Sequence, residues 1–112
     1  MQKTTIKKGD VVWVEYDPSI GTEIQKKRPS VVLSNDVVNK NHTRILVAPI
    51  TSKVNKVYPF EYEIVDTSKV TGKVMLDQMR FIDRMRLGSK VTTLADAELL
   101  PIQEIVKYLL GV

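Results

Sequence analysis

GDVVWVEYDP, residues 9–18, decides the fold. A Gly-Asp turn signal opens it, six strand-forming residues follow, and Asp17-Pro18-Ser19 closes it, which is a short strand bounded by turns. Alternation puts Val12 and Val14 on one face and Trp13 and Glu15 on the other. Similar strands recur down the chain. PSVVLS (residues 29–34) starts on a proline, where a missing N–H costs least. RILVAPI (44–50) is almost continuously apolar and reads as a central strand. PFEYEIV (59–65) sets Phe60, Tyr62 and Ile64 against Glu61 and Glu63. GKVML (72–76), MRFID (79–83) and KVTTL (90–94) complete the set. Polar loops span 21–28 and 51–55, and Asn35 or Asp36 can cap a short helical turn over DVVNKN.

Composition agrees. Val, Ile and Thr supply 16, 9 and 9 of the 112 residues, against 3 Ala. β-branched side chains lose rotamer freedom in helices and fit a pleated surface, so the chain should be mostly strand. Only the C-terminus changes period. Leu99, Ile102, Val106 and Leu109, with Ile105 beside them, form a helical stripe. Asp96 is the expected N-cap and Gly111 the C′ residue. Pro101 conflicts with that start, so the helix is expected to begin nearer Leu100 or to bend. The expected fold is a single domain over residues 1–112: a small, partly open β-barrel with a C-terminal α-helix.

The chain carries 17 basic and 13 acidic residues, a net +4, and the excess lies in its first half. A basic half suits an anionic partner or simply a solvated surface. Cysteine is absent and His42 is the one histidine, so thiol catalysis, cysteine metal centres and multi-histidine sites within one chain are excluded. No apolar run is long enough to span a membrane and the first residues lack a secretory pattern, so a cytoplasmic protein without membrane contact is expected.

Five stretches in order carry a family resemblance: KKGDVVWVEYDP (7–18), GTEIQKKRPSVVLSND (21–36), VAPITSK (47–53), YPFE (58–61) and LDQMRFID (76–83). Together with the final helix they resemble the MazF/PemK family of toxin endoribonucleases, the mRNA interferases. The resemblance implies a homodimeric SH3-like barrel that cuts single-stranded RNA without metal or other cofactor. It also implies a cognate antitoxin whose flexible acidic segment covers the RNA groove. Two positions depart from some members. Thr22 stands where they carry His after the loop glycine, and Met75 where they carry Arg before the Asp-Gln pair. The acid–base scheme built on those two residues therefore does not transfer.

Metal-free cleavage uses the ribose 2′-OH as nucleophile, so the protein must move protons and stabilise charge on phosphate oxygens. Arg28 suits the second task, because its planar fork can engage two oxygens. The resemblance casts it as an acid or base; its chemistry favours electrostatics. Glu23 is the candidate base, or else a loop glutamate paired with Lys26 or Lys27. Thr51 and Ser52 offer hydroxyls to a phosphate, or ordinary turn hydrogen bonds. Phe60 can stack an unpaired base or fill the core, and Asp77 and Gln78 can bond base edges. Lys26, Lys27, Lys53 and Lys56 can track phosphates. Trp13 reads as a core or dimer residue and His42 as a solvated one. A toxin of the same fold that binds and inhibits DNA gyrase is the alternative, although it would have no need of Glu23, Arg28 and Thr51 together.

Overall fold

The computed structural model describes residues 5–16, 27–65 and 69–112. The chain runs through β1 (Asp10–Glu15), β2 (Lys27–Val32), α1 (Asp36–Asn41), β3 (Arg44–Thr51), β4 (Glu61–Ile64) and β5 (Gly72–Met75). A 3-10 turn (Leu76–Gln78), β6 (Arg80–Asp83), a second 3-10 turn (Arg84–Arg86), β7 (Leu87–Thr93) and α2 (Asp96–Leu110) follow. The seven strands make one antiparallel sheet in the order β4-β5-β3-β2-β1-β7, with β6 also paired to β3.

β3 is the central strand, as its apolar run predicts. β2 lies along one edge. The other edge is shared: Arg44 to Val47 pair with β6, while Ile50 and Thr51 pair with β5. The chain changes partner over Leu76–Gln78, beside the middle of β3. Register shifts between Val11, Val12 and Val14 bend β1 against β7, and such bulges curl a sheet toward a barrel.

Both faces of the sheet bury apolar side chains. Val11, Val31, Ala48, Ile50, Val74 and Leu76 form one core with Ile102 of α2. Val12, Val14, Val32, Ile45, Val47 and Ile82 form another on the opposite side. Two-sided burial explains why Val11 is buried although simple alternation would turn it away from Val12. Trp13, by contrast, is 41% exposed, which rules out its core reading.

Helix α2 starts at Asp96 and keeps Pro101 inside it. Ala95, not Asp96, occupies the N-cap, with no side-chain cap hydrogen bond. Packing overrides this poor local chemistry. Ile102 is fully buried, worth roughly 1.5–3 kcal/mol. Glu98, also buried, accepts the Tyr62 hydroxyl and the Val65 N–H at 3.3 Å, tying the first turn of α2 to the end of β4. Gly111 closes the helix in the left-handed conformation, as expected. Asn35 is the cap of α1, accepting the Val38 N–H at 2.9 Å. β7 begins at Leu87, three residues before the apolar part of its sequence, because β1 offers it backbone partners there. Among the described residues no helix is long and apolar enough to cross a membrane.

Candidate functional site

The side-chain parity of the central strands gathers the candidates. Ser30 pairs with Pro49 and Val32 with Val47 across β2 and β3. Continuing that register by two residues sets Arg28 opposite Thr51, with both side chains on the face of Val12, Val14 and Val47. Arg28 is half-buried and its backbone pairs with Val14 of β1. On the same face, the Tyr16 hydroxyl meets Ser30 Oγ at 2.6 Å, and the Arg80 guanidinium lies 5.5 Å from the Tyr16 ring centre. Burial pushes the Tyr16 phenol above its ordinary value, against smaller opposing effects of Ser30, Arg80 and Arg28, so it stays protonated at neutral pH.

Thr51 ends β3 and pairs with Lys73 of β5. Its Oγ1 accepts the Lys53 N–H at 3.3 Å, the turn bond its residue type favours, and the hydroxyl proton remains available to a ligand. Gly72 fixes the approach of β5. Its φ is +122°, and a Cβ built there would fall 2.2 Å from the Thr51 carbonyl oxygen. Only glycine lets the two strands meet at this point.

Glu61 is buried, whereas alternation in PFEYEIV predicts an outward-facing residue. The reason is Lys73, whose ammonium pairs with Glu61 Oε1 at 2.8 Å and donates to the Lys56 carbonyl at 2.6 Å. Burial raises the Glu61 carboxyl. The Lys73 hydrogen bond, the Tyr58 N–H and the Lys73 charge together outweigh burial and hold it below the usual glutamate value. The same Tyr58 N–H reaches Glu61 Oε1 at 3.0 Å. Phe60, half-buried, stacks on Tyr58 with ring centres 5.4 Å apart and planes 3° from parallel. Lys56 and Lys73 bring their ammonium groups to 5.0 and 5.7 Å from the Tyr58 ring centre.

Ser52 and Lys53 follow Thr51 and are exposed. Asp77 and Gln78 are exposed on the 3-10 turn where the chain leaves β5 for β6; Gln78 Nε2 is 3.6 Å from Met75 Sδ. Lys27 is exposed at the start of β2, next to Arg28. His42 is exposed at the end of α1, where its carbonyl accepts from Arg84 at 2.7 Å. Glu23, Lys26 and Thr22 lie outside the described residues. Arg28, Thr51, Phe60 and the Asp77-Gln78 turn thus belong to neighbouring strands and their connections. Sequence reading missed Tyr16, Tyr58, Gly72, Lys73 and Arg80. For Tyr58 a signal was present, since two aromatics flank Pro59. Gly72 and Lys73 show their role only once β5 is laid against β3. Among the described residues no three His, Asp or Glu side chains gather as a metal site would need.

A family model described as PemK-like, MazF-like toxin of type II toxin–antitoxin system matches residues 7–110. A curated relative from Mycobacterium tuberculosis, named endoribonuclease MazF9, is 36% identical over 110 residues, covering 91% of this chain and 93% of its own. A Staphylococcus saprophyticus endoribonuclease MazF is 32% identical over 110 residues, with 95% and 92% covered. Among solved structures, a MazE–MazF crystal structure from Deinococcus radiodurans superimposes with a TM-score of 0.85 at 28% identity, covering 98% of this chain and 99% of that one.

Proposed function

The chain belongs to the PemK-like, MazF-like toxins of type II toxin–antitoxin systems, and from that premise we propose that it is an endoribonuclease cutting single-stranded RNA without a metal ion. The observation that carries this reading is the β2–β3 register, Ser30 opposite Pro49 and Val32 opposite Val47, whose parity puts Arg28 and Thr51 on one sheet face. There the 2′-oxygen of a bound ribose attacks the adjacent phosphorus, and the bond to the 5′-oxygen breaks. The products are a 2′,3′-cyclic phosphate and a 5′-OH. Arg28 stabilises the charge that builds on the phosphate oxygens, and Thr51 donates to one of them. Glu23 accepts the 2′-OH proton, and the leaving 5′-oxygen takes a proton from solvent water. Ser52, Lys53, Lys26 and Lys27 hold the backbone, while Phe60, Asp77 and Gln78 meet bases.

The active species is a homodimer, whose shared groove suits a recognition word longer than one small domain can hold. Large apolar side chains left exposed at Phe81 (55%) and Met85 (90%) support such an assembly. The cognate antitoxin presents a flexible acidic segment to the basic groove around Arg28 and Lys27. The relative solved as a MazE–MazF complex supports that partner. The protein acts in the cytoplasm.

Cleavage of a defined RNA, run beside a DNA gyrase assay, tests the reading. Arg28→Ala should keep the fold and slow cleavage by about 10²-fold or more, the loss typical of one missing oxyanion donor. Arg28→Lys should rescue only in part, since a point charge does not replace the fork. Wild-type rates for Arg28→Ala, or gyrase inhibition with intact RNA, would overturn the assignment.

A further inference from the structure

We infer that Tyr58 is a binding residue for one nucleobase of the RNA, with Lys56 holding a neighbouring phosphate; this rests on the endoribonuclease reading. Three observations converge on it. First, Tyr58 is a large aromatic side chain left 42% exposed, already stacked face to face on Phe60. Phe60 is half-buried and Tyr58 exposed, so of the two rings Tyr58 is the one a base arriving from solvent meets, beside the exposed Lys56 ammonium. Every base has a π-face, and such platforms bind unpaired nucleotides without needing to read them.

Second, the platform is held rigidly. The Tyr58 N–H is fixed on the Glu61 carboxylate, which the buried Lys73 ammonium pins in turn. Lys73 also draws in the Lys56 carbonyl, so residues 56 to 61 are gathered around one buried ion pair. Glu61 and Lys73 are therefore positioning residues, and the ordering cost of the loop is met before RNA arrives.

Third, the platform faces the reaction centre. Lys73 pairs with Thr51 across β3 and β5, and Glu61 pairs with Met75 across β4 and β5. By parity these four residues lie on one sheet face, the face that carries Arg28. Val74, Tyr62 and Ile64 of the same strands lie on the other face, in or against the core under α2. An RNA strand crossing from Arg28 past Thr51 thus runs onto Tyr58. The exposed Lys56 ammonium, 5.0 Å from the ring centre, is within reach of the phosphate that joins the stacked nucleotide to the next.

The test begins by mapping where the wild-type protein cuts a long RNA. It then measures binding of a fluorescent RNA carrying that sequence, with 2′-deoxyribose at the cut bond so that it cannot react. Tyr58→Leu keeps apolar bulk but removes the ring, and should weaken binding by about 5- to 100-fold, the range for one lost base–aromatic stack. Tyr58→Trp should bind like the wild type. The salt dependence should be unchanged in Tyr58→Leu, whereas Lys56→Ala should reduce its slope by about 0.7, one phosphate on a single strand. In a series of probes each lacking one base, a single position should weaken wild-type binding while leaving Tyr58→Leu unaffected. Wild-type affinity in a folded Tyr58→Leu, or equal sensitivity of both proteins at every abasic position, would overturn the platform while leaving the nuclease standing. A wild-type protein that cuts no RNA would overturn both.

Discussion

Replacing Gly72 by alanine should damage this protein far more than one added methyl group implies. At φ +122° an L-residue is strained, and the new Cβ would stand 2.2 Å from the Thr51 oxygen, 3.0 Å from the Thr51 carbonyl carbon and 3.3 Å from Ile50 Cγ2. The backbone conformation alone costs about 1–3 kcal/mol. Pushing packed backbone aside adds about 1–3 kcal/mol, so the total is roughly 2–6 kcal/mol. Gly111 supplies the internal control: its φ is +76°, but nothing lies within 4 Å of a built Cβ. Gly111→Ala should therefore cost only the conformational part, about 1 kcal/mol. With a urea slope near ~2 kcal/mol/M, the midpoint should fall by about 1–3 M for Gly72→Ala and about 0.5 M for Gly111→Ala. Gly72→Ala should also lose cleavage at temperatures where it is still folded, because the displaced backbone is that of Thr51. Equal midpoint shifts for the two variants, or full activity in folded Gly72→Ala, would refute the claim that Gly72 sets the site.

The buried Glu61–Lys73 pair gives a pH signature. Glu61 titrates below its ordinary value of 4.5 when folded, so its stabilisation is complete above that value and is lost as pH falls through the folded one. Glu61→Gln should thus be less stable than wild type at neutral pH, with the gap closing toward acid in urea titrations; a gap that widens would contradict the sign. Lys73→Met should cost about 3–5 kcal/mol, because it leaves a buried carboxylate unpaired, and chemical denaturation reads this directly. Tyr62→Phe removes a hydroxyl donor from buried Glu98 and should cost about 1–3 kcal/mol, with cleavage by the folded variant unchanged. A purified cognate antitoxin should compete with RNA and weaken with added salt, and light scattering should report a dimer at micromolar concentration; a ternary complex still cutting RNA would contradict the shared groove.

Much of the fold was legible because apolar runs and turn residues mark strands locally. RILVAPI is a central strand whatever its neighbours, and the 3.6-residue stripe of α2 survives even Pro101. What failed depended on partners distant in sequence. Glu61 reads as a solvent-facing glutamate until β5 brings Lys73, twelve residues on, diagonally across from it on the same face. The start of α2 was misjudged because propensity at Asp96 and Pro101 says nothing about Ile102 and Glu98 sinking into the sheet. Arg28 and Thr51 were singled out by motif, yet their shared face follows only from the β2–β3 register. Tyr58 shows its role only beside Phe60, because a stacked pair is a property of two rings.

The central claim is metal-free cleavage through the 2′-hydroxyl at the Arg28–Thr51 face. Its most direct measurement is the end chemistry of fragments from a defined long RNA treated with EDTA-washed protein. The account predicts 5′-OH ends paired with 2′,3′-cyclic phosphates, and no cut where the 2′-OH at the scission site is absent. Fragments with 5′-phosphates that appear only when Mg²⁺ is restored would contradict it.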